Sequence, residues 1–186
     1  MTNGPNRRQV LMGAAAAVFV ASVVAGGYFL EKQSSTTPVN FHLTATTHTY
    51  TLLLQVSPPQ SMYTSAQVAS QHPSDGEVML SGTMTMPPGM SGATMTGSSY
   101  PAGWHHVEIH VYDRLSNQVI ANANLVIRIH DDTTGDSISL PIVTMQGIVA
   151  GPQDFHYGNN AELTNGHAYT LTAHVDAETA SFHFNL

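Results

Sequence analysis

The run WHHVEIHVYD, residues 104–113, sets His105, His106, Glu108 and His110 among Val107, Ile109 and Val111. Apolar and polar types alternate with a period of two, which predicts a β-strand with one face in a core. On such a strand His106, Glu108 and His110 share the opposite face at steps of about 6.5–7 Å. Adjacent members of that row can lean together onto one cation. Two neutral imidazoles and a carboxylate suit zinc, cupric copper or non-haem iron, whereas calcium and magnesium need more oxygen donors. The same alternation also describes a strand that simply shows its polar side to water. The row by itself leaves both readings open.

Further candidates lie elsewhere. His156 falls in FHYGNN, where Gly158, Asn159 and Asn160 predict a loop. Met145 opens the same segment and reads either as core filling or as a soft ligand. Met79, Met84, Met86, Met90 and Met95 lie in or beside a Gly/Pro/Ser/Thr-rich stretch. That pattern suits either a cuprous ion or an adaptable apolar surface, and Met84 and Met86 share a face if extended. His174 and His183 are expected to point outward and diagonally across a closing hairpin.

Composition narrows the function classes. Among 186 residues there are eleven histidines and no cysteine. Thiol catalysis, disulfides and a lipid anchor through a cysteine are therefore excluded. Beyond Lys32 only Arg114 and Arg128 are basic, against eleven acidic residues, a formal charge of −9. A surface of that sign repels phosphate backbones, so nucleic acid is not an expected partner and cations are. No P-loop, dinucleotide fingerprint, serine elbow or two-histidine helical metalloprotease motif is present, so a non-enzymatic protein is expected.

The elements that must position these residues are short. Arg7 and Arg8 precede an apolar run from Val10 to about Ala25, so residues 1–32 read as an export signal of twin-arginine type or an uncleaved membrane anchor. Residues 33–40 read as a flexible tether and residues 41–186 as the folded domain. Strands are predicted at 48–56, 77–81, 104–111, 119–129 and 137–143, with a hairpin over 167–186. A helical turn is predicted near 65–70. About seven strands with almost no helix predict an all-β, immunoglobulin-like antiparallel β-sandwich.

In combination, HHVEIHV, the DDTTGD hairpin, a methionine near the end of the next strand, HYGNN and YTLTAHV resemble a known family. It is the family of periplasmic proteins associated with high-affinity iron transport, copper- and iron-binding sandwiches that dimerise. The resemblance covers about residues 104–184. It implies a metal site at His106, Glu108, Met145 and His156, a copper or iron ion, a homodimer, and delivery to a membrane permease. The segment from Met145 to His156 is longer than the family's, and no secure equivalent of a further loop histidine is found. The expected function is an exported, periplasmic or cell-surface, metal-binding protein in copper or iron uptake or homeostasis, touching the membrane only through its N-terminal segment. The rival from another class is a metal-free structural or protein-interaction sandwich at the membrane surface. A copper or iron redox enzyme comes third.

Overall fold

The computed structural model describes residues 40–89 and 99–186. The expected signal or anchor, most of the tether, and Met90 and Met95 lie outside the described residues. Among those described, no helix is long and apolar enough to cross a membrane.

The protein is an all-β sandwich of two sheets. In chain order the strands are β1 (Phe41–Thr46), β2 (Tyr50–Ser57), β3 (Met62–Thr64), β4 (Glu77–Ser81), β5 (Trp104–Asp113), β6 (Leu125–Asp131), β7 (Ser137–Leu140), β8 (Val143–Gly147), β9 (His156–Glu162), β10 (Ala168–Val175) and β11 (Glu178–Asn185). A seven-stranded sheet runs β1-β2-β5-β9-β8-β4-β3, and a four-stranded sheet runs β11-β10-β6-β7. All pairings are antiparallel except β3 with β4, which is parallel. Helix α1 (Ser65–Gln71) makes that parallel return possible, opened by a capping box in which Thr64 and Gln67 satisfy each other's backbone N–H.

Alternation explains the core. Leu52, Leu54 and Val56 of β2 and Val107, Ile109 and Val111 of β5 are fully buried and meet Ile127, Leu171 and Ala173 of the other sheet. Each large side chain so buried contributes about 1.5–3 kcal/mol. Pro141 ends β7, and the chain crosses to the other sheet to begin β8 at Val143, because proline has no N–H to extend the ladder.

Several expectations need correction. The long strand predicted over 119–129 pairs in a ladder only from Leu125. Before that point the Tyr157 hydroxyl accepts from the Ala123 N–H and donates to the Ile120 carbonyl, at 2.9 Å each. It thereby takes backbone groups that a partner strand would have used. His156 is not in a loop but opens β9. His174 and His183 are exposed as expected, yet they stand opposite Thr179 and Thr170 respectively and so lie four positions apart along β10 rather than diagonally adjacent.

Candidate metal centre

Strand β5 is third in the seven-stranded sheet, between β2 and β9, and both of its faces are buried from Trp104 to Val111. His106, Glu108 and His110 therefore do not face water, although parity is as the sequence implies. The reason is curvature. In a flat sheet β4 would lie about 14 Å from β5, three strand spacings away. Yet donor atoms of Glu77 on β4, His106 and Glu108 on β5 and His156 on β9 all lie within 4.8 Å of one another. The sheet must curl so that the face turned from the core becomes the concave lining of this centre.

Glu108 is its hub. One carboxylate oxygen, Oε2, is 3.1 Å from His106 Nε2 and 3.3 Å from His156 Nε2. The other, Oε1, is 3.5 Å from His110 Nε2. Glu77 Oε2 completes the group at 3.5 Å from His156 Nε2. Donors bound at about 2.0–2.1 Å to one tetrahedral cation stand about 3.3 Å apart, so these separations match ligands of a shared ion. A second triad, His110, Asp154 and His156, also has donor atoms within 4.8 Å of one another.

The ring orientations are set from outside the centre. Asn160 Nδ2 donates to the Gln60 carbonyl at 3.0 Å and Asn160 Oδ1 accepts the Gln60 N–H at 3.2 Å, which fixes the amide. The same Oδ1 lies 2.9 Å from His106 Nδ1, so that nitrogen is the donor. His156 Nδ1 likewise donates to the Asp154 backbone carbonyl at 2.7 Å. Both imidazoles thus turn Nε2 inward, where each is buried without a hydrogen bond from the protein. An orienting acceptor on one ring nitrogen and a bare lone pair on the other is the arrangement metal-binding histidines use.

Protons compete for the same lone pairs. Burial pulls His106 and His110 down, but the neighbouring Glu108 charge outweighs it and both pKa values rise. Burial dominates at His156, whose pKa is lowered, so this imidazole is neutral and ready to ligate. Glu108 is pushed up by burial and drawn down further by His106 and His110, ending below the usual carboxylate range. Glu77, desolvated and beside a second carboxylate, is raised to about 7.

The Glu77 shift has a measurable consequence in metal-free protein. Because its folded pKa lies above the unfolded value, the folded state holds the extra proton, and that stabilisation is lost as pH rises through about 7. Glu77→Gln is therefore expected to raise the melting temperature of metal-free protein at pH 8 by a few degrees, about 1–3 kcal/mol, and to change little at pH 5. A lower melting temperature at pH 8 in thermal denaturation would show that the carboxylate stabilises the empty centre instead.

Of the four residues singled out in the sequence, His106, Glu108 and His156 meet here. Met145 is also fully buried and stands directly opposite His156 in the β8–β9 ladder, so the two side chains rise from the same face. Its buried neighbours are Met62 and Val143. Sequence reasoning missed Glu77, whose signal was a lone acid on the same strand face as Met79. It also missed Asn160 as an orienting group, having read Asn159 and Asn160 as turn formers when both are fully buried in β9.

No protein-family profile and no curated protein matches this chain. Solved structures resemble it at low identity. A copper-bound variant of FetP from uropathogenic Escherichia coli superposes with a TM-score of 0.49 at 13% identity, over 80% of this chain and 92% of that one.

Proposed function

We propose that the protein is an exported metal-binding protein that holds a copper or iron ion at His106, Glu108 and His156, with Glu77 as a further carboxylate ligand and Met145 as a softer one. The observation that carries this reading is the pair of buried Nε2 atoms, each oriented by an acceptor on Nδ1 and each aimed at the same carboxylate oxygen. A divalent ion would cancel the two buried carboxylate charges, which otherwise cost the fold desolvation energy. Imidazole and carboxylate suit cupric copper and iron, and a thioether helps to retain copper when it is reduced. Uptake or homeostasis of these metals outside the cytoplasm, with delivery to a membrane permease and function as a homodimer, is the role that fits. A binding rather than a catalytic task is supported by the enclosure of the donors, since His106 and His156 expose no surface.

The test is metal loading. Purified protein incubated with cupric or ferrous ion and freed of excess is expected to retain one equivalent, and the His106→Ala/His156→Ala double variant essentially none. Equal retention by the two proteins would remove the site. Occupancy should also fall as the solution is made acid, because binding must displace protons from the imidazoles.

A further inference from the structure

A second cluster lies at the mouth of β5, two residues before the first ligand of the centre. Trp104 and Tyr100 are buried and form an aromatic pair with ring centroids 5.3 Å apart. Met84 and Met86, both half-buried, pack against that pair. The segment carrying them is held in place rather than merely adhering. The buried Asn159 accepts the Thr85 N–H at 2.8 Å and donates to the Thr83 carbonyl at 3.0 Å, while the Tyr100 hydroxyl donates to the Thr85 carbonyl at 3.2 Å. Asn159 sits beside Asn160, which orients His106. The same strand therefore positions both clusters.

Met84 has a second set of neighbours. It packs against the group of Met62, Val143 and Met145 as well as against the aromatic pair. Met62 reaches the centre through Asn160, whose Nδ2 lies 3.6 Å from the Met62 sulfur. Met145 reaches it by standing opposite His156. Met84 thus links the aromatic pair, on which half-buried Met86 also packs, to the methionines at the edge of the His/Glu centre.

We propose that Met84 and Met86, backed by the Trp104 indole, form a second site that takes up a cuprous ion before it passes to the centre. Two neutral sulfurs with no carboxylate between them select a soft univalent cation over a hard one, and the aromatic face adds attraction for a cation held there. Neither group titrates, so this site keeps its ion under acid conditions that empty the imidazoles. A pure packing role would account for buried methionine. It does not account for two half-buried ones pinned by a buried amide beside the chain's single tryptophan. The inference rests on the metal-binding reading of the centre only for where the ion goes next.

Trp104 is itself the reporter. Anaerobic titration of the whole protein with cuprous ion under ascorbate, and with silver ion as a redox-inert substitute, is expected to quench its emission at pH 5 as well as at pH 7. The quench should persist in His106→Ala/His156→Ala. In Met84→Leu/Met86→Leu, which conserves volume, its midpoint should move to at least ~10-fold higher ion concentration. An unchanged midpoint in the methionine variant, or loss of the quench in the histidine variant, overturns the proposal. Should the double leucine variant fail to fold, the methionine methyl resonances of wild-type protein decide. Silver is expected to shift those of Met84 and Met86, and unshifted signals refute the site. The two readings fail separately: a histidine variant that keeps its cupric ion sinks the centre and leaves the quench to the methionine variants.

Discussion

Glu108→Gln is expected to weaken cupric-ion binding by at least about 100-fold while the protein stays folded. Glutamine keeps the shape of the side chain and removes the one charge that faces three imidazoles, His106 at 3.1 Å, His156 at 3.3 Å and His110 at 3.5 Å. Without that charge only Glu77 remains to balance a divalent ion, and its pKa of about 7 makes it a reluctant anion. The metal-free protein should respond in a pH-dependent way as well. His106 and His110 have raised folded pKa values, so their contribution is complete below the unfolded value and fades as pH climbs through the folded one. Glu108, lowered, contributes above its unfolded value and loses that contribution only in strong acid. Both conditions hold together between the unfolded carboxylate and unfolded imidazole values, about pH 5 to 6.5, so the glutamine variant should be most destabilised there and less so as pH climbs through the raised imidazole values. Isothermal titration with copper and thermal denaturation at pH 6 and pH 8 check the two halves. A dissociation constant within threefold of wild type would show that Glu108 neither ligates the ion nor orients a ligand.

The sequence made some of this arrangement legible and hid the rest for physical reasons. Parity along β5 was readable because side-chain direction on a strand depends only on the pleat, and so His106, Glu108 and His110 share a face as expected. Their burial was not readable, because alternation tells which side points away from the core but not whether another layer covers that side. That layer is a consequence of sheet curvature, which brings Glu77 from β4 over β5 through pairings with β8 and β9. No local pattern near Glu77 encodes an encounter with His156, 79 positions later.

The misreading of HYGNN has a different cause. Glycine followed by two asparagines is turn chemistry by composition, yet β9 uses each residue for a non-turn purpose. Asn159 takes up backbone groups of Thr83, Thr85 and Pro141, and Asn160 takes up Gln60 and the ring of His106. Polar groups so placed replace ladder partners that loops approaching the sheet lack, which buried backbone cannot do without. Conversely, Met145 and His156 could be chosen by resemblance while their relation could not. Their facing positions in the β8–β9 ladder depend on the 3-10 turn at Gly151–Asp154, which reverses the chain between them.

Gly158→Ala is expected to be the most damaging single change at the centre that touches no ligand. Gly158 pairs with Glu108 across the β5–β9 ladder. A Cβ added there would lie 2.1 Å from the Val107 carbonyl oxygen and 2.8 Å from the Glu108 Cα, and both obstacles are backbone atoms that no rotamer change can move. The strands must separate, and because β5 and β9 are the third and fourth of seven, the gap opens in the middle of the sheet. The cost should exceed about 3 kcal/mol, roughly a 10 °C fall in melting temperature. Molecules that still fold should bind metal poorly, since Glu108 is the atom group displaced. Gly151→Ala supplies the contrast. Its added Cβ meets nothing within 4 Å, so only its φ of +66° opposes the substitution, at about 1–2 kcal/mol. Urea denaturation of the two variants side by side separates close approach from backbone angle. If Gly158→Ala proves no less stable than Gly151→Ala, the two central strands have slack, and the geometry that sets Glu108 beside three imidazoles is not imposed by the sheet.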